Sequence, residues 1–158
     1  MGRELFLKSS DLVVRTQEVL RNAKGWVDSD ACISHIGFRT ISKDEWFKLR
    51  ELCSDLGTER VTFKDDGRQV LFVELRNPIV VDEQSLTYLE LPEPNDAAQN
   101  KPQFIAAFYH PTISKNPQVI GEYVRSGEDL KCVNPIDIRQ QQMRAVDYIQ
   151  RDKDVSSR

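Results

Sequence analysis

The chain has 158 residues, 39% hydrophobic and 30% charged, and its 22 basic and 25 acidic side chains leave a net charge of -3. That length suits one ordinary domain with a real core, and the interspersed signs argue against the basic stripe of a nucleic-acid binder. Apolar runs such as Ile79-Val80-Val81 are far too short to span a bilayer; with no cleavable secretory pattern in residues 1–8, a cytoplasmic protein is expected.

In chain order, Ser9/Ser10-Asp11 reads as a helix start, and Leu12, Val13, Thr16, Val19, Leu20 and Ala23 recur at helical spacing as far as Gly25. Basic and acidic residues interleave here, as on a solvated helix face. Residues 33–40, Ile-Ser-His-Ile-Gly-Phe-Arg-Thr, read as a strand. Side chains alternate across a strand, so His35 and Arg39 share one face, while Cys32, Ile36 and Phe38 offer an apolar surface on the other. Ser42-Lys43-Asp44-Glu45 then has the form of a capping box. Trp46, Leu49, Leu52, Cys53 and Leu56 follow as an apolar stripe that ends at Gly57. This second helix is expected to cover the Cys32/Ile36/Phe38 face.

Three strands are predicted next: residues 59–63, residues 69–75 after the Asp65-Asp66-Gly67 turn, and residues 85–91 after the Asn77-Pro78 break. On the last, Leu86, Tyr88 and Glu90 share one face and Thr87, Leu89 and Leu91 the other. A proline-flanked polar loop leads to a fifth strand over residues 103–110. Residues 117–125 fit a strand or a short helix. Pro135 is expected to open a helix through Ile138, Met143, Val146 and Ile149, with residues 152–158 fraying. These elements make an α+β fold in one domain over residues 1–158, with Phe38, Trp46, Phe72 and Phe108 assigned to its core.

Cys32, Cys53 and Cys132 are odd in number and widely spaced, which fits neither a disulfide framework nor a paired-cysteine zinc site. They read as reduced packing residues. There is no glycine-rich phosphate loop, nucleophile elbow or His-Glu-x-x-His helix. Phosphoryl-transfer, serine-nucleophile and zinc-protease mechanisms therefore lose their sequence basis.

The block at residues 33–40, the strand 70–75 running into Arg76-Asn77-Pro78, and Leu86-Thr-Tyr-Leu-Glu-Leu-Pro-Glu-Pro94 together resemble the YecM-like family within the vicinal-oxygen-chelate (glyoxalase, bleomycin-resistance, extradiol-dioxygenase) superfamily. The His-x-x-x-Arg-Thr pattern is also similar to the 2-oxoadipate dioxygenase/decarboxylase family of that superfamily. The likeness covers roughly residues 10–94. It implies a βαβββ module whose curved mixed sheet makes a cleft, with a divalent metal (Zn, Fe, Mn or Ni) held by His35 and Glu90. Imidazole and carboxylate are the donors such an ion takes. In that setting Arg39 clamps a substrate carboxylate, and Glu90 doubles as the catalytic group that holds the ion or moves a proton.

The chain departs from the superfamily pattern after Pro94, where too few residues remain for a full second module. Where the families place a further metal histidine, this chain reads Gln103-Phe104-Ile105-Ala106, and the other histidine is His110. Two completions suggest themselves: a homodimer sharing His35 and Glu90 from each copy, or an intrachain His35/Glu90/His110 triad. Against these stand plainer readings: a hydrogen-bonded buried His35, a Glu90 paired with Arg39, and a strand-end His110. At the level of function, a metal-dependent lyase, isomerase or dioxygenase acting on a small carboxylate-bearing molecule competes with a metal-free module binding a small anionic ligand. A protein-interaction domain is a third reading.

Overall fold

The computed structural model describes residues 4–27, 29–65, 67–96, 101–110, 114–126, 129–134 and 137–141. In chain order the elements are α1 (Ser9–Lys24), β1 (Cys32–Phe38), α2 (Lys43–Ser54), β2 (Gly57–Asp65), β3 (Arg68–Val81), β4 (Gln84–Pro92), β5 (Phe104–His110), β6 (Ser114–Ser126), β7 (Asp129–Asn134) and β8 (Asp137–Gln141). The strands form one mixed sheet in the order β2-β3-β4-β1-β5-β6-β7, with β8 also paired to β6. Strand β1 lies at its middle, parallel to β4 and antiparallel to β5. The architecture is α+β, an open mixed sheet with two helices among the described residues. No helix of the described residues is long and apolar enough to cross a membrane.

Both helices pack on the same side of the sheet. Leu12, Val19, Leu20 and Ala23 of α1 and Trp46, Leu49 and Cys53 of α2 join one apolar cluster with Ile36, Phe38, Leu71, Val73, Leu89, Leu91, Phe104, Ala106 and Phe108. The α2 start follows from local chemistry. Ser42 Oγ accepts from Glu45 N at 3.1 Å, and the Glu45 carboxylate accepts from Ile41 N at 3.3 Å. Trp46 then donates through Nε1 to Leu91 O at 3.1 Å, which fixes the helix against β4.

Several expected boundaries moved, each for a physical reason. Helix α1 is capped by the Lys8 backbone, and Ser9 turns outward so that its hydroxyl donates to Asp55 Oδ2 at 3.0 Å. Gly57 opens β2 instead of ending the helix. A Cβ there would lie 2.1 Å from Glu74 O, so the close strand approach requires glycine. Strand β3 continues through Asn77-Pro78, because its register against β4 shifts between Glu74 and Ile79 and a proline is tolerated in such an irregularity. Leu86, expected beside Glu90, joins the helix-side cluster at that same shift.

Residues 117–125 lie within strand β6. The helix expected after Pro135 is instead the strand Asp137–Gln141, paired with β6. Its continuation through Met143, Val146 and Ile149, and the tail at residues 152–158, lie outside the described residues.

Cys32 is half-buried, while Ile33 takes the core place expected of it. The cause is a register shift of β1 against β5 between Ile33 and His35. An extra residue at Ser34 reverses the alternation upstream of it and leaves the downstream residues as predicted. Cys53 is buried, and burial, reinforced by the Glu59 carboxylate, pushes its thiol up to about 12, so it packs rather than reacts.

Candidate functional site on the His35 face of the sheet

On the side away from the helices, the register aligns a row of residues across four strands. Phe72 of β3 lies opposite Glu90 of β4, Glu90 is paired with Gly37 of β1, and Gly37 with Ile105 of β5. His35 sits two residues before Gly37 on the same face, and its ring meets Phe72 edge-on at 5.4 Å between centroids. The row is deeply buried, and neither α1 nor α2 packs on it: His35 and Phe72 are 0% exposed and Glu90 is 6% exposed.

His35 Nε2 and Glu90 Oε2 are 3.4 Å apart. This contact is not a hydrogen bond, and Nε2 is a buried nitrogen with no hydrogen-bond partner. On the other side of the ring, Nδ1 lies 3.0 Å from Ser34 Oγ. In the tautomer that protonates Nδ1, Ser34 accepts that proton's hydrogen bond and Nε2 turns a lone pair toward Glu90. Burial lowers the His35 pKa from 6.5 to about 4, so the ring is held neutral near pH 7.

Gly37 makes room for this pair. A Cβ at residue 37 would fall 2.5 Å from Ile105 Cγ1 and 3.4 Å from Glu90 Oε1. The backbone therefore approaches so closely that any other side chain would push Ile105 aside and stand in contact with the carboxylate.

As donors, a neutral imidazole nitrogen and a carboxylate suit a divalent ion. Two ligands each about 2.0–2.1 Å from a tetrahedral ion stand roughly 3.3–3.4 Å apart, matching the spacing between these two atoms. The orphaned Nε2 and this spacing fit two ligands of such a site. A third is another matter, since no group of three or more His, Cys, Asp or Glu able to hold a metal is found among the described residues.

His110 is not brought to the pair. Phe104, Ala106 and Phe108 of the same strand point into the helix-side cluster, so alternation along β5 turns His110 away from the His35 face. Its Nδ1 lies 3.4 Å from Asp30 Oδ2, beyond the start of β1. The shared face expected for residues 104, 106, 108 and 110 is thus real, but it is the packing face.

Arg39 leaves the end of β1 and donates through one guanidinium nitrogen to the Glu122 carboxylate of β6 and to Pro102 O, the latter at 3.0 Å. Its charge is met by an acidic partner from the far half of the sheet, in the row just beyond Ile105. A substrate carboxylate at Arg39 would have to share or replace Glu122.

A family model described as YecM protein matches residues 13–104, more than half of the chain. The chain belongs to the YecM family. The match takes in His35, Gly37, Arg39 and Glu90 and stops before His110 and Glu122. Among solved structures, the one titled "Structural Genomics, Protein EC4020" is similar at a TM-score of 0.50 and 13% identity, covering 96% of this chain and 100% of that one. At that identity the likeness concerns the fold alone. No curated protein matches the chain.

Within this YecM-family frame, sequence reading missed Ser34 as the partner of the imidazole, Phe72 as its aromatic wall and Glu122 as the counter-charge of Arg39. The adjacency of Ser34 to His35 was a readable signal. Glu122 is 83 residues from Arg39 and carried none.

Proposed function

We propose that this YecM-family chain is a vicinal-oxygen-chelate-like metal-binding protein that acts on a small oxygenated, carboxylate-bearing molecule at the His35 face of its sheet. His35 and Glu90 would hold the divalent ion, with remaining positions filled by substrate oxygens, water or the same residues of a second copy. The order β1-α2-β2-β3-β4, with β1 parallel to β4, is in keeping with the βαβββ module of that superfamily. The observation that carries the reading is the orphaned, fully buried His35 Nε2, spaced from Glu90 Oε2 as two donors to one ion would be.

When bound, a Zn, Fe, Mn or Ni ion would supply Lewis acidity to adjacent substrate oxygens. The chain's own residues do the rest. Ser34 fixes the ring of His35, Phe72 and Ile105 exclude water, and Glu90 holds or moves a proton at its carboxylate. Lyase, isomerase and dioxygenase chemistry all start from such an arrangement.

A second reading is a metal-free module binding a small anionic ligand, favoured by the presence of two rather than three donors among the described residues. Elemental analysis of the untagged protein, His35→Ala and Glu90→Gln, with light scattering on the same samples, separates the two. Near-stoichiometric metal lost in both variants is expected, and the ratio per dimer reports whether the site is shared. Metal-free wild-type protein whose melting temperature ignores all four ions would sink the metal reading and leave the second.

A further inference from the structure

The His35 face extends past the His35–Glu90 pair toward β3 and β2. Tyr88 lies two residues before Glu90 on β4. The register that pairs Glu90 with Phe72 and Gly37 also pairs Tyr88 with Glu74 of β3 and sets it beside His35 of β1. Alternation turns Tyr88 to the His35 face, while Leu89 and Leu91 join the helix-side cluster. Burial falls off along this row. His35 is fully buried and Tyr88 half-buried, and the Glu74 carboxylate, which accepts from Arg60 Nε of β2 at 2.6 Å, is 33% exposed. Tyr88 thus stands between the buried imidazole and the solvated side of the sheet.

Its neighbours leave the phenol to other uses. Glu74 and Arg60 engage each other, Ser34 holds the far side of the His35 ring, and among the described residues the Tyr88 hydroxyl enters no hydrogen bond. A phenylalanine would fill the same place without a polar group to satisfy. A phenol is protonated at neutral pH and donates. Adjacent strands stand about 4.8 Å apart, which leaves room for a single ligand oxygen to meet both the Tyr88 hydroxyl and whatever His35 holds.

We propose that Tyr88 is a further substrate-binding residue of this site, its hydroxyl donating to an anionic oxygen of the molecule that meets His35 and Glu90. The role rests on the metal site proposed for that pair and adds to it a means of choosing the ligand. Hydrogen bonds to an ionised oxygen are about twice as strong as those between neutral groups. Tyr88 therefore favours a carboxylate or enolate oxygen over a neutral carbonyl or alcohol, and a protonated amine offers it no acceptor.

Isothermal titration calorimetry tests this on the full chain in two stages: nickel ion into the metal-free protein, then pyruvate into the nickel-loaded protein, with hydroxyacetone as the neutral comparator. Wild-type protein is expected to bind nickel and then pyruvate at millimolar or lower concentration. Tyr88→Phe, which keeps the ring, should leave the nickel affinity and the melting temperature of the metal-free protein unchanged and weaken pyruvate by about tenfold. Pyruvate affinity unchanged in Tyr88→Phe, or nickel-loaded wild-type protein that ignores pyruvate, would overturn the proposal and leave the metal site standing. Nickel affinity that falls in Tyr88→Phe would overturn it too, by giving the phenol a part in holding the ion. Wild-type protein that takes up no nickel sinks the metal site and the proposal together. An equal loss for hydroxyacetone would overturn the preference for an anionic oxygen.

Discussion

On the helix side of the sheet, Ile36, Leu89 and Phe104 are buried in an apolar cluster that two amphipathic helices complete. On the other side, His35, Phe72 and Glu90 are almost as deeply buried, yet they include an imidazole and a carboxylate in contact. Depth alone therefore does not distinguish the two faces. Burial of ionisable groups has to be compensated, and a fold that keeps such a pair on one face while packing the other with mainly apolar side chains has separated its stabilising surface from its chemical one.

Truncations test that separation most strongly. Leu89→Ala on the helix side should cost about 2–5 kcal/mol in urea unfolding, and should leave metal or ligand binding by the folded fraction intact. If binding is lost along with stability, the faces are not independent.

Acidification should act through the other face alone. The pKa of His35 is lower in the folded chain, about 4, than its ordinary 6.5. Between those values the unfolded chain binds the extra proton, so stability is complete above 6.5 and falls as pH drops toward 4. For metal-free protein the loss approaches roughly 3 kcal/mol by the lower limit. His35→Leu should flatten that part of the pH profile, and an unchanged slope would show that another group is responsible.

Gly37→Ala is a smaller and more pointed probe. The added methyl displaces Ile105 and stands against Glu90 Oε1, for a loss of about 1–3 kcal/mol. It should weaken whatever binds at Glu90 more than Leu89→Ala does. Smallest of all, Ser42→Ala removes the α2 cap for about 1 kcal/mol and should leave the His35 face untouched, as thermal melts and binding titrations on one sample would show.

How much of this was legible depended on the range of the interactions. The α2 start could be read because its capping box is a local pattern, and His35 and Glu90 could be read as strand residues because alternation places each on a face. Their juxtaposition, which the family likeness implied and periodicity alone did not, rests on the parallel pairing of β1 with β4. Cys32 was misplaced because a single extra residue in a strand leaves no mark on hydrophobic alternation. Gly57 read as a helix stop because its real constraint, the Glu74 carbonyl, lies across the sheet. The long-range partners of Arg39 and Gln103 had no local signature, and Asp137–Gln141 forms a strand because β6 offers pairing that proline-initiated helix propensity cannot foresee.

Gln84, at the start of β4, gives the central strand its alignment. Its Oε1 accepts from Ile33 N at 3.0 Å and its Nε2 donates to Ala31 O at 2.8 Å, so one side-chain amide grips the β1 entrance through a donor and an acceptor. A slip of β1 by a single residue would rotate the imidazole into the hydrocarbon interior and turn Ile36 outward. Gln84 opposes that slip as a locating pin does, because only one alignment offers its amide a donor and an acceptor together. The chemical identity of the His35 face is thereby guarded by a residue that never touches it.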